Sequence, residues 1–105
     1  MHKTFILKNY VKKIYLYKIT PYTYSQAKRL GVTIKPSTNP TKKIDVFKDK
    51  KIASIGAKGM MDYPTYRILK GPAYATRRRR FYKQRHEKDR HIKGSAGYYA
   101  DKLLW

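Results

Sequence analysis

The sequence predicts a small single α+β domain: a β-hairpin as sheet nucleus, a long basic helix in the carboxyl-terminal half, and an extended amino-terminal arm. Three observations carry this prediction. Residues 42–56 alternate with the period of two that marks paired strands. From Pro72 to His91 no Gly and no further Pro interrupts a helix. Residues 1–44 hold nine Lys, one Arg and no acid, so that stretch has no ion-pairing option of its own. At 105 residues the chain supports one modest core. It divides into residues 1–41, a basic arm with a short strand and helix, and residues 42–105, a hairpin with a helical module.

Taken in order, Ile14 to Tyr17 with Ile19 has strand composition, and Thr20-Pro21 closes it. Thr23 to Leu30 reads as a short helix, with Thr23 or Ser25 as cap and Gly31 as the left-handed residue beyond its end. Val32 to Ile34 is a short strand candidate ended by Pro36, and Pro36 to Thr41 has loop composition. In the hairpin, Ile44, Val46 and Lys48 alternate with Asp45 and Phe47. A second run, Ile52 to Ile55, follows across an Asp49-Lys50 turn that lacks its preferred Gly. Gly56 to Gly59 releases the backbone from the sheet. Asp62 to Gly71 is a short helix begun near Pro64, and Pro72 opens the long one, with Tyr74, Arg78, Phe81 and Arg85 on one stripe and Tyr82 beside it. Gly94 to Gly97 ends that helix, and the remaining segment carries Tyr98, Tyr99, Leu103, Leu104 and Trp105.

The charge excludes more than it identifies. The formal net charge of +20 repels a compact chain from itself and calls for a polyanionic partner or an assembly. A hydrophobic fraction of 41% with 11 Tyr sets the chain apart from disordered basic tails and gives it contact surface. No cysteine is present, which excludes disulfides and thiolate metal sites. No apolar run reaches the ~20 residues of a membrane helix, and no cofactor motif stands out.

Arg77, Arg78, Arg79 and Arg80, with Lys83 and Arg85, form the strongest chemical feature. Successive residues on a helix turn by ~100°, so the four arginines fan around the axis and cannot all read one groove. They suit phosphates or acidic side chains. The bland reading of the run is a solvated face. Lys58, in Gly56-Ala-Lys-Gly59, adds one cation where the chain leaves the hairpin. That segment has the outline of an RNA-clamping Gly-x-x-Gly loop, but it follows a strand where that loop joins helices. His86 and His91 are five apart, whereas a zinc helix needs four. Enzyme chemistry is poorly provisioned: the chain has a single Glu, no Cys and no serine in a nucleophile elbow. Tyr98, Tyr99, Leu104 and Trp105 are the candidates for anchoring to a neighbouring subunit.

Five segments together resemble a known family. They are Lys43-Ile-Asp-Val-Phe-Lys-Asp49, Ile52-Ala-Ser-Ile-Gly-Ala-Lys-Gly59, Asp62-Tyr-Pro-Thr-Tyr66, Tyr82-Lys-x-Arg-His86 and Gly94-Ser-Ala-Gly-Tyr-Tyr-Ala-Asp-Lys-Leu-Leu-Trp105. The set is similar to small basic virion-associated proteins of large nucleocytoplasmic DNA viruses, the chlorella virus and mimivirus relatives. The likeness covers residues 42–105 and extends weakly to 27–37. It departs where Lys50 replaces a common Gly and where Met60-Met61 replaces a common aromatic. The resemblance, to proteins of no assigned activity, implies association with the virion, and the aromatic-rich, Gly-punctuated tail then favours a minor capsid protein, assembled in the host cytoplasm, with the major capsid protein and other minor capsid proteins as partners. The alternative is a sequence-nonspecific protein that condenses double-stranded DNA. Neither reading requires catalysis or a cofactor.

Overall fold

The computed structural model describes residues 17–105. Of the strand expected at Ile14 to Ile19, Ile14 to Leu16 lie outside that range, and Tyr17 to Thr20 lie in no strand. Ile19 is nevertheless buried in the core.

Helix α1 spans Pro21–Leu30. Its cap is Thr20, earlier than either expected candidate, because Pro21 supplies a first-turn residue with no N–H to satisfy. The Thr20 hydroxyl accepts from the Thr23 amide at 3.3 Å. The Thr23 side chain is therefore free to bond elsewhere, and its buried hydroxyl donates to the Leu103 carbonyl at 2.8 Å. Gly31 closes the helix with φ 69°, as its position beyond Leu30 predicts.

Strands β1 (Thr33–Pro36), β2 (Lys42–Lys48) and β3 (Lys50–Ala57) form an antiparallel sheet in the order β1-β2-β3. Ile34 pairs with Val46, Ile44 with Ile55, and Val46 with Ala53, which gathers the apolar side chains on one face. The hairpin turns on Asp49 alone, at φ 69°. Lys50 already belongs to β3, and the register slips between Val46 and Phe47, leaving Ile52 as the extra residue of a bulge. A short Asx side chain tolerates that left-handed backbone, so the missing Gly is not required.

Helix α2 spans Tyr63–Lys70 and α3 spans Pro72–Arg85, joined through Gly71. The long helix is therefore shorter than the sequence suggests and does not reach His91. His86 leaves helical geometry, and the amides of Asp89 and Arg90 both turn back to its carbonyl, at 3.2 and 2.9 Å. Gly97 packs against the Asp89 carbonyl, where an added Cβ would stand at 3.2 Å. The docked final helix thus favours a turn over another helical turn. That helix, α4 (Ala96–Leu104), is capped by the Ser95 hydroxyl, which accepts from the Tyr98 amide at 3.1 Å. Gly94 to Gly97, expected only as a terminator, therefore also opens a further helix that the sequence pattern does not announce.

α1 and α4 cover the apolar sheet face, and Ala27, Ile34, Ile44, Val46, Ile55, Leu103 and Leu104 form the core with Ile19. α2 and α3 pack as a pair and join this body through the Tyr22–Tyr63 and Tyr82–Trp105 ring contacts. Among the described residues no helix is long and apolar enough to cross a membrane.

Candidate anion-binding cleft

Three of the six acids are buried, and each organises a junction. Asp62 caps α2 by accepting from the Thr65 amide at 3.0 Å. Its other oxygen takes the Lys43 ammonium at 2.9 Å and the Tyr17 hydroxyl at 2.7 Å, tying β2 and the segment before α1 to α2. Burial, followed by the charge of Asp62 and its hydrogen bond, raises the Tyr17 pKa and keeps that phenol neutral. Asp45 accepts from the hydroxyls of Ser37 at 2.6 Å and Ser54 at 2.7 Å. Burial alone would raise its pKa. The two hydroxyls, the Thr38 amide and Lys51 outweigh burial and hold the carboxyl below its ordinary value. Asp101, on α4, receives Lys83 at 2.8 Å and faces Arg90 at 3.7 Å. Its Oδ2 has no hydrogen-bond donor, and the nearby guanidinium supplies charge instead. Exposed Glu87 engages Arg90 and His91.

With these acids engaged internally, the cations of α3 separate into distinct roles. Arg79 turns inward. Its guanidinium lies 4.2 Å from the Tyr63 ring centroid, donates to the Tyr22 hydroxyl at 3.2 Å and donates to the main-chain oxygen of Trp105. Lys83 is held by Asp101. Arg77 lies over Tyr74, and Arg80 is exposed beside Lys83 at a shallow depression shared with Glu87 and Arg90. Lys58 sits in the turn after β3, where its amide donates to the Thr41 carbonyl.

Arg78 and Arg85, two turns apart on α3, line a cleft of about 280 Å³ between that helix and the end of the hairpin. Trp105, Leu104 and Ala100 of the carboxyl-terminal segment contribute to its wall, and Ala57, Met60 and Met61 line the hairpin side. Trp105 stacks on Tyr82 at 4.3 Å and 6°, and His86 covers the Tyr82 ring at 4.3 Å and 30°. Burial, then the charges of Asp101 and Asp89, push the Tyr82 pKa up to about 12. Arg78 lies over the Tyr66 ring at 5.4 Å. Arg78 and Arg85 form no ion pair among the described residues, and the cleft's only acidic side chain, Asp62, is already neutralised by Lys43.

The structure thus brings together Arg78, Arg85, Leu104 and Trp105 from the sequence-derived candidates and separates the rest. Lys58 does not line the cleft. Leu104 is buried in the protein's own core, so it is not available to a neighbouring subunit. Trp105 is half-buried within the aromatic stack. Tyr98 meets Tyr99 edge-on along α4, and Tyr99 packs partly on the core. The expected stripe on α3 is also rotated. Ala75 and Tyr82 face inward while Phe81 is exposed. Tyr66, Tyr82 and His86 are members of the site that the sequence analysis does not assign to anion binding or anchoring. Helical spacing from Arg78 to Tyr82 and Arg85 carries part of that signal, but the partner rings come from α2 and from the carboxyl-terminal segment.

Among the described residues no group of three or more His, Cys, Asp or Glu side chains is placed to hold a metal ion. Comparisons with family models, curated proteins and solved structures find no match to this chain.

Proposed function

We propose that this protein is a structural component of a virion, a minor capsid protein that lies against or between capsid subunits. One observation supports it above the alternative: apolar side chains stand in water on α2, beside the segment that enters α1, and at the cleft. Ile68 is 71% exposed, Leu69 60%, and Met60, at the cleft, 67%. Protein surfaces that dock other proteins combine such apolar contacts with Arg and aromatic side chains. A protein that only neutralises phosphates has no use for them. Several α3 guanidiniums are also laid on tyrosine rings, which gives this face a fixed shape suited to a structured partner. The role is binding without catalysis, and the natural partners are acidic surfaces of the major capsid protein and its neighbours.

The test is fractionation of disrupted virions. The protein is expected to remain with emptied shells after the genome is released. Its departure with the genome would instead support the DNA-condensing reading, to which the +20 charge already lends weight.

A further inference from the structure

We propose that the cleft between α3 and the end of the hairpin is a peptide-docking site that takes an acidic segment carrying an aliphatic side chain. This rests on the reading of the protein as a subunit-binding component and identifies the chemistry of one partner element.

Arg78 and Arg85 line the cleft without a carboxylate partner among the described residues, whereas the Lys43–Asp62 pair beside them is internally neutral. The cleft therefore carries two uncompensated guanidiniums spaced by two helical turns. Each suits a carboxylate accepted in fork geometry.

The lining then separates a peptide from a nucleic acid. Base binding needs an open ring face on which to stack. Here the rings are largely engaged: Tyr82 stacks with Trp105 and with His86, and one face of Tyr66 carries the Arg78 guanidinium. The exposed apolar lining is aliphatic and thioether surface, from Ala57, Met60 and Met61. Met60 and Met61 are 67% and 39% exposed at the cleft, and unbranched thioethers adapt to irregular side chains. A volume of about 280 Å³ suits one or two side chains inserted from an otherwise surface-bound segment. One Leu-like side chain against Met60 and Met61, with flanking carboxylates on Arg78 and Arg85, satisfies both halves of the site.

The chain's single tryptophan, Trp105, lines this cleft, so its fluorescence reports occupancy directly. The full chain is titrated with a short blocked peptide of Glu and Leu, with its counterpart in which every Leu is Ser, and with single-stranded oligothymidylate. The Glu/Leu peptide is expected to shift Trp105 emission saturably, at a concentration roughly tenfold lower than the Glu/Ser peptide. The double variant Arg78→Gln/Arg85→Gln is expected to weaken it by roughly tenfold or more. Ala57→Glu, at an exposed cleft position, is expected to do the same by like-charge repulsion, while Lys28→Gln, on α1, leaves binding within about twofold.

Equal binding of the two peptides would overturn the proposal, as would an unchanged response in both cleft variants. Stronger, saturable binding of oligothymidylate at Trp105 would reassign the cleft to nucleic acid. The titration uses no virion material, so its failure is distinct from a failure of the fractionation test.

Discussion

Arg79 differs from the arginines on either side of it because, among the described residues, only its guanidinium makes hydrogen bonds within the fold. It bridges Tyr22, Tyr63 and the main chain at Trp105, linking α1, α2 and the end of the chain from one position on α3. Arg79→Ala is expected to destabilise the protein by about 2 kcal/mol in urea denaturation. Arg77→Ala and Arg80→Ala should stay within about 0.5 kcal/mol, as surface substitutions do. Asp45 makes stability depend on pH on the acid side. Its folded pKa is depressed relative to the unfolded chain, so its contribution is present above the unfolded value of about 3.9 and is lost as pH falls through the folded value. Denaturation curves of wild type and Asp45→Asn should therefore differ most near neutrality, begin to approach each other below about pH 4, and meet only once pH falls below the depressed folded value. Tyr82 works in the opposite direction on the alkaline side. Its folded pKa of about 12 lies above the free value of 10.0, so stability that is intact below pH 10 falls as pH rises between these values. Tyr82→Phe should remove that alkaline loss.

At the scale of elements, the carboxyl-terminal helix completes the core from the far end of the sequence. Leu103 and Leu104 are fully buried, and Thr23 of α1 hydrogen-bonds the carbonyl of Leu103. Leu104→Ala is expected to cost about 2–5 kcal/mol in chemical denaturation, the usual range for a buried large-to-small change. Gly56 explains why that helix can approach β3 so closely. Its φ is 77°, and a Cβ there would stand 2.7 Å from Leu104 Cδ1. Gly56→Ala combines backbone strain with a steric clash, so its loss should be comparable to Leu104→Ala, read by the same denaturation curves. The combined loss in Gly56→Ala/Leu104→Ala should be less than additive, because the second change removes the atom that the first would strike.

For the whole molecule, the decisive property is that buried acids hold junctions together while most cations face outward. Purified protein should bind duplex DNA without sequence preference, and the log of affinity should fall linearly with log salt at about −0.9 per phosphate contacted. Replacing Arg77, Arg78 and Arg80 by Ala, with Arg79 left in place to keep the fold, should flatten that slope. Under the capsid proposal the same replacements reduce the amount of protein recovered with emptied shells and leave genome packaging density unchanged. An intact shell around a poorly condensed genome would favour the alternative.

The order of amino acids was enough to specify the α+β class, the hairpin at 42–56, the Gly31 and Gly71 helix stops, and the basic character of α3. Each of these depends on near neighbours: alternation along a strand, the φ freedom of a glycine, the absence of a breaker. Which arginine is structural and which is free emerged only on folding, because Arg78 and Arg79 are adjacent and chemically identical until Tyr22, Tyr63, Tyr66 and Trp105 arrive from other elements. The same holds for the end of α3 and for α4. Asp89, Gly97 and the Asp101 contacts with Lys83 and Arg90 set that geometry across sequence gaps. A carboxylate's partner, and therefore its charge and burial, is a property of folded proximity, which local composition does not encode.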